Sequence, residues 1–217
     1  MPGRGMKFRY IAIEGVIGVG KTTLVEALAE RLDATQVLEE WEENPFLKPF
    51  YDGKPHSAFQ TELFFLLSRY RQQQELTQRK LFTQATLSDY VFEKSRLFAY
   101  LNLDDSELLI FDKLFSLLSE SVPKPDLVVY LQAPTEVMMR RVKARGRPEE
   151  TSFAEEYLAE VNRAYNHYFF HYSTTPLLVV NTADVDFVRN PEDTDDLLKQ
   201  IRGMGKGTQY YVPRGRT

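Results

Sequence analysis

Eight consecutive residues, GVIGVGKT, place glycines, a lysine and a hydroxyl in the spacing of a P-loop. They follow an apolar run at residues 10–13 and precede a helix-like stretch, which is the context this pattern requires. Amides of such a loop point at phosphate oxygens, its lysine reaches the β and γ phosphates, and its hydroxyl can ligate magnesium. We therefore predict a site for ATP or another nucleoside triphosphate with Mg²⁺. The site comprises Gly15, Val16, Ile17, Gly18, Val19, Gly20, Lys21, Thr22 and Thr23.

Acidic residues follow the next predicted strand. An apolar stretch at residues 35–38 runs directly into EEWEENP, residues 39–45. Because the carboxyl ends of parallel strands form the ligand-binding edge of α/β sheets, this acidic run is expected beside a ligand.

Three arginines lie downstream of the apolar strand at residues 127–131: Arg141, Arg145 and Arg147. A small-molecule kinase places a mobile lid over the transferred phosphoryl group at this point of the chain. A solvated basic face is the alternative interpretation. The glycine between the last two arginines favours a lid.

A P-loop alone does not distinguish a small-molecule kinase from a GTPase or an ATP-driven motor. Those classes bind magnesium through an aspartate at the end of an apolar strand, whereas the best candidate strand here ends in Gln132 and Ala133. The guanine-reading pattern Asn-Lys-x-Asp is also absent from the sequence. Both alternatives are therefore disfavoured.

The elements that must position these residues alternate between strands and helices. Strands are predicted at residues 10–13, 35–38, 83–87, 127–131 and 176–181, and helices at 24–32, 58–81, 92–101, 108–118, 135–144 and 155–172. This order predicts an α/β fold with a five-stranded parallel, doubly wound sheet. One domain is expected over residues 1–202, and residues 203–217 are expected to form a C-terminal arm or a disordered tail.

Composition narrows the class of protein. A chain of 217 residues with 43% hydrophobic residues is long enough for one α/β domain, and a net charge of −4 predicts neither a nucleic-acid polymer nor a membrane as partner. With no cysteine, disulfides and thiolate sites are excluded. No membrane span or signal peptide is evident, so we expect a cytoplasmic protein.

Taken together, the motifs resemble the deoxyribonucleoside kinases, and within them the bacterial purine type, the deoxyguanosine and deoxyadenosine kinases. The resemblance runs from about residue 10 to residue 181. Its most specific parts are GVIGVGKT, the string EEWEENPFL followed by Phe50 and Tyr51, the pair Asp89-Tyr90, and RGRPEE at residues 145–150. It implies the P-loop kinase fold with an arginine-rich lid.

The resemblance implies roles for two acids. Glu39 matches the catalytic carboxylate, and its chemistry suits a base that takes the proton of a 5′-hydroxyl. Asp89 matches the acid that lies beside the phosphates and helps Thr22 hold magnesium. In many members an arginine follows this acid, whereas Tyr90 follows here. Lys94, four residues further on, is the candidate replacement, with a plain surface lysine as the alternative.

The resemblance also implies residues that bind the acceptor. Tyr51 and Glu150 match a pair on the sugar 3′-hydroxyl, while Glu62 and Arg69 match the positions that read the base. A carboxylate at Glu62 would accept from N1–H and the N2 amino group of guanine, and Arg69, two helical turns along, would keep it ionised. A surface ion pair between these two residues is the alternative.

The expected activity is transfer of the γ-phosphoryl group to the 5′-hydroxyl of a purine deoxyribonucleoside, with deoxyguanosine favoured and deoxyadenosine next. The catalytic set is Glu39, Lys21, Arg141, Arg145 and Arg147. One rival is a thymidylate-type nucleoside-monophosphate kinase, and another is a nucleotide-binding subunit with little activity of its own. A homodimer is expected, with a heterodimer of related kinase subunits as the alternative.

Overall fold

The computed structural model describes residues 7–79, 85–150, 152–185, 187 and 190–213. The strands in these ranges are β1 (Tyr10–Gly15), β2 (Thr35–Val37), β3 (Thr86–Ser88), β4 (Leu127–Gln132), β5 (Leu177–Asn181) and β6 (Thr208–Tyr211). They form one sheet in the order β2-β3-β1-β4-β5-β6, and every neighbouring pair is parallel.

Helices connect the strands and flank the sheet. Those described are α1 (Lys21–Leu32), α2 (Leu47–Tyr51), α3 (Ser57–Arg79), α4 (Lys94–Asn102), α5 (Asp105–Ser119), α6 (Thr135–Arg145), α7 (Glu155–Phe170) and α8 (Pro191–Gly203). Short 3-10 turns occupy Trp41–Glu43 and Pro148–Glu150. Within the described ranges no helix has the length and apolar character needed to cross a bilayer.

The core is centred on β1 and β4, which pair with each other in the middle of the sheet. All six residues of β1 and the first five of β4 are buried, as expected for strands covered on both faces. Burying each large apolar side chain contributes about 1.5–3 kcal/mol. A second, smaller cluster joins α3, α4 and α5 around Leu66, Phe111 and Phe115. These two cores fix the sheet edge and the helices that carry the polar residues.

The predicted strand count was wrong, because the sheet has six strands where five were expected. The sixth, β6, belongs to the predicted arm. Three of its four residues are exposed, so it shows no apolar pattern, and backbone pairing to the edge of β5 holds it. Residues 80 and 81 of the predicted helix 58–81, residues 83 and 84 of the predicted strand 83–87, and residues 214–217 of the arm lie outside the described residues.

The loop after β1 passes close to α6, and this contact requires glycine. Gly18 has a φ of +83°, and a Cβ there would lie 2.6 Å from the carbonyl oxygen of Met138. A side chain would therefore be strained and would also push the loop away from α6. Gly20, with a φ of 106°, caps the start of α1. The P-loop is thus held against the helix that leads into the lid.

Candidate functional site

A cleft of about 510 Å³ opens at the carboxyl ends of β1, β2 and β3. The P-loop and the start of α1 form one wall, α2 and α3 form another, and the segment after α6 closes the cleft. Most of the predicted site residues line it: Ile17, Gly18, Gly20, Lys21, Thr22, Thr23, Glu39, Tyr51, Glu62, Arg69, Asp89, Lys94, Arg145, Arg147 and Glu150. Val16 and Val19 are instead buried in the core beneath the loop.

Lys21 points back over the P-loop. Its Nζ donates to the carbonyl oxygens of Gly15, at 2.8 Å, and Val16, at 3.3 Å. Burial and, to a smaller extent, the ammonium of Lys94 lower the pKa of Lys21 to about 8, against the opposing effect of nearby carboxylates. A bound polyphosphate would place negative charge beside Lys21 and favour its protonated form.

Glu39 lies between two buried cations. One carboxylate oxygen, Oε1, accepts from Nε of Arg69 at 2.8 Å, and the other, Oε2, accepts from Nζ of Lys94 at 2.9 Å. Only 3% of the Arg69 side chain and 5% of the Lys94 side chain are exposed. Burial alone would raise the pKa of Glu39, but the two cations outweigh it and hold that pKa well below its ordinary value. Glu39 is therefore ionised at neutral pH.

Lys94 lies in the cleft, although the spacing argument that singled it out does not hold. Helix α4 begins at Lys94, so Tyr90 precedes the helix and does not share a face with it. The side chain of Tyr90 is buried elsewhere, and its hydroxyl donates to Gln72 at 2.8 Å. The alternative of a surface lysine is excluded by the burial of Lys94.

Asp89 bridges the P-loop helix and the end of β2. Its Oδ2 accepts from the Thr22 hydroxyl at 2.8 Å, and its Oδ1 accepts from the Glu39 amide at 2.8 Å. The Thr22 hydroxyl and the Asp89 carboxylate offer two adjacent oxygen ligands. Such a pair fits Mg²⁺, which takes one or two protein oxygens and completes its shell with phosphates and water.

Glu62 and Arg69 do not contact each other as predicted, because each has another partner in the cleft. Both residues are 2% exposed, so they do not form a surface ion pair. Arg69 binds Glu39 and also donates to the Ser95 hydroxyl at 2.8 Å, whereas Oε1 of Glu62 accepts from Nδ2 of Asn102 at 2.8 Å. In the structure each of these two residues thus bonds to a different partner.

Tyr51 and Glu150, which are predicted to bind one hydroxyl of the sugar, both line the cleft. The ring of Tyr51 packs edge-on against Phe153, with centroids 5.1 Å apart, and burial raises the pKa of its hydroxyl well above 10. Both oxygens of Glu150 accept from Arg145 Nη2, at 2.6 and 2.8 Å. Because its pKa is raised, the Tyr51 hydroxyl remains a hydrogen-bond donor at physiological pH.

The three predicted lid arginines divide into two groups. Arg145 and Arg147 line the cleft, and the guanidinium of Arg147 stacks 3.7 Å from the ring centre of Trp41. Arg141 does not line the cleft. It donates to the carbonyl oxygens of Val19, at 3.2 Å, and Thr182, at 2.8 Å, and so ties α6 to the P-loop. Its contacts are those of a positioning residue.

A buried carboxylate beneath the P-loop was not predicted. Glu14, on β1, is fully buried, and it accepts from the amides of Gly15 at 2.9 Å and Val91 at 2.8 Å. Burial raises its pKa, and the charges of Lys94 and Lys21 oppose that effect. The available signal was an acid inside a strand that is otherwise apolar, directly before the first glycine of the loop.

Glu39, Arg69 and Lys94 form an ion cluster. This cluster predicts that the wild type and a Glu39 variant differ in stability by an amount that depends on pH. We expect Glu39→Gln to lower the free energy of unfolding by about 3 kcal/mol at pH 7, because two buried cations lose their shared counter-charge. Since the pKa of Glu39 is depressed in the folded protein, this contribution is complete above about pH 5.5, begins to shrink near the unfolded value of about 4.3, and continues to shrink as the pH falls toward the depressed folded value. Urea denaturation of both proteins across this range measures the difference.

Glu42→Gln is the matched control, because Glu42 is an exposed acid of the same segment. It should have the stability of the wild type at every pH. Equal stability of Glu39→Gln and wild type at pH 7 would contradict the assigned ion cluster.

Comparison with known proteins places this site in a family. The chain matches the family described as "Deoxynucleoside kinase" over residues 11–204. It is 32% identical over 200 residues to the deoxyguanosine kinase of Bacillus subtilis (strain 168), covering 90% of this chain and 97% of that protein. It is 28% identical over 206 residues to the deoxyadenosine/deoxycytidine kinase of the same organism, covering 91% and 94%.

A solved structure gives the same result. The deoxyadenosine kinase from M. mycoides with bound dATP is similar to this chain with a TM-score of 0.74 at 25% identity, covering 88% of this chain and 99% of that one. The doubly wound parallel sheet is that of the P-loop kinase fold. This chain therefore belongs to the deoxynucleoside kinase family and is an ATP-dependent phosphotransferase.

Proposed function

We propose that this chain transfers the γ-phosphoryl group of ATP, or of another triphosphate, to the 5′-hydroxyl of a purine deoxyribonucleoside, with deoxyguanosine favoured and deoxyadenosine next. The observation that carries the proposal is the position of the Glu39 carboxylate, in one cleft with the P-loop on one side and Glu62 on the other. Relatives named deoxyguanosine kinase and deoxyadenosine kinase support the purine class.

Glu39 acts on the acceptor hydroxyl. The carboxylate orients the 5′-hydroxyl and takes its proton as the phosphoryl group moves. Its depressed pKa makes it a weak base, which suits a loose transition state in which the proton leaves late. Arg69 and Lys94 keep it ionised and fix its direction, and Lys94 supplies the cation that an arginine after Asp89 provides in related kinases.

On the donor side, Lys21 neutralises the β and γ phosphates and the P-loop amides hold them. Thr22 and Asp89 would hold Mg²⁺, which when bound offsets charge on the phosphate oxygens. On the sugar, Tyr51 and Glu150 bind the 3′-hydroxyl, so that a sugar without it would leave buried polar groups unpaired.

The acceptor is proposed to be a nucleoside because of the charges in the cleft. A nucleoside monophosphate would bring about two further negative charges, and it would need cations of its own. Here Arg69 and Lys94 are both bonded to Glu39, and Arg145 is bonded to Glu150, so these cations are already balanced by carboxylates. A thymidylate-type kinase would require the opposite balance of charge.

Turnover measurements test the proposed acceptor. With ATP and Mg²⁺, we expect deoxyguanosine and deoxyadenosine to be phosphorylated faster than deoxycytidine and thymidine, and dGMP to be inactive. Lys21→Ala is the control, which should remain folded but lose turnover. Faster turnover of dGMP would favour the monophosphate kinase, and an inactive purified wild type would favour the low-activity subunit.

We propose a homodimer that uses exposed apolar residues of α3 and α5. Ile110 and Leu117, seven residues apart on α5, are 53% and 69% exposed, and Leu67 on α3 is 49% exposed. In the alternative arrangement, a related kinase chain would bind this surface and form a heterodimer. Sedimentation velocity of the purified chain tests the homodimer, and a monomer at all concentrations would contradict it.

The lid arginines are proposed to stabilise charge that spreads over the transferred phosphoryl group. Arg147→Ala should therefore lower kcat by about tenfold or more while changing KM for ATP by less than about threefold. Arg202→Ala, an exposed arginine of α8, is the matched control and should leave both unchanged. A change in KM alone would limit Arg147 to ground-state binding of ATP.

A further inference from the structure

The buried carboxyl of Glu62 has hydrogen-bonding capacity that the protein leaves unused. Oε1 accepts from Nδ2 of Asn102 at 2.8 Å, and the same Nδ2 lies 3.1 Å from the hydroxyl oxygen of Tyr157. Asn102 thus anchors one side of the carboxyl group without depending on its charge. Because Glu62 lines the cleft, its remaining lone pairs face the space where the acceptor base would lie.

The charges around Glu62 do not force its carboxyl group into either the ionised or the protonated state. Three charged groups act on Glu62: Arg69 on the same helix, Glu39 after β2, and Lys94 at the start of α4. Tyr51 of α2 and Tyr157 of α7 also face it, and both stay neutral. Since Glu39 already engages Arg69 and Lys94, Glu62 has no ion-pair partner among these groups.

Burial is consequently the largest influence on this carboxyl. It raises the pKa of Glu62 to about 7, against the hydrogen bond from Asn102 and the more distant charge of Arg69. Both protonation states are then accessible near neutral pH.

The two states present different hydrogen-bond patterns. An ionised carboxylate accepts two bonds, which matches N1–H and the N2 amino group of guanine. A protonated carboxyl donates one bond and accepts another, which matches N1 and the N6 amino group of adenine. Both free bases stay predominantly neutral between pH 6 and pH 8.5, so the protein side chain decides which purine fits.

We propose that Glu62 is a proton-controlled selector of the base, so that the cleft prefers deoxyguanosine when Glu62 is ionised and deoxyadenosine when it is protonated. This inference rests on the proposed purine nucleoside kinase activity and extends it. Solvent supplies or receives the proton, so binding of deoxyadenosine takes up protons and binding of deoxyguanosine releases them.

The ratio of kcat/KM for deoxyguanosine to that for deoxyadenosine tests the selector, because titration of a group on the donor side, such as Lys21, affects both substrates and cancels. In the wild type we expect this ratio to rise by up to about tenfold per pH unit between pH 6 and pH 8.5. Glu62→Gln, which fixes one donor and one acceptor, should show a ratio that does not change with pH. At pH 8 its kcat/KM for deoxyguanosine should be lower by roughly 10- to 200-fold, with deoxyadenosine unchanged or improved.

Glu26→Gln is the matched control, since Glu26 is an exposed acid on α1, and it should keep the wild-type slope. A ratio that stays flat with pH in the wild type, with both purines turned over, would overturn the selector and leave the kinase activity standing. The same slope in folded Glu62→Gln would assign the titration to another group.

Calorimetry in buffers of different ionisation enthalpy tests the selector without turnover. At pH 7 we expect uptake of about half a proton per deoxyadenosine bound by the wild type, and release of about half a proton per deoxyguanosine. No proton exchange with either nucleoside would contradict the selector. Failure of both nucleosides to bind would contradict the proposed function and the selector together.

Discussion

The site depends on the contact of one buried carboxylate with two buried cations. Glu39 follows β2, Arg69 lies on α3 and Lys94 begins α4, so their hydrogen bonds join three separate elements at the floor of the cleft. Removing Glu39 would leave two buried cations without their shared counter-charge, at a cost of about 3–5 kcal/mol. The same contact fixes the direction of the Glu39 carboxylate and keeps it ionised, which is what a positioned base requires.

This arrangement also determines the state of the second carboxyl in the cleft. Because Arg69 and Lys94 are bonded to Glu39, Glu62 retains only burial and the amide of Asn102 as close influences. The pKa values of the two acids are therefore moved in opposite directions, one by cations and the other by desolvation. Under the proposed function, the two carboxyl groups of the cleft would take different tasks: Glu39 would accept the proton of the sugar hydroxyl, and Glu62 would recognise the base.

Much of this architecture could be predicted from local patterns. The P-loop, the strand before Glu39 and the helix that carries Glu62 are each encoded within a short window. Partners distant in sequence were missed: Asn102 lies 40 residues from Glu62, and Arg69 was paired with the wrong acid because helical spacing does not reveal competing groups on other elements. Strand β6 was missed because edge pairing through the backbone leaves no apolar pattern.

The kinetics of Glu39→Gln test the central assignment most directly. If Glu39 is the base, kcat for deoxyguanosine should fall by a factor on the order of 10² to 10⁴, while the Kd of the nucleoside, measured on the same folded protein, stays within a few-fold of the wild-type value. A kcat within a few-fold of wild type would contradict the account, and Glu40 would then be the acid to test.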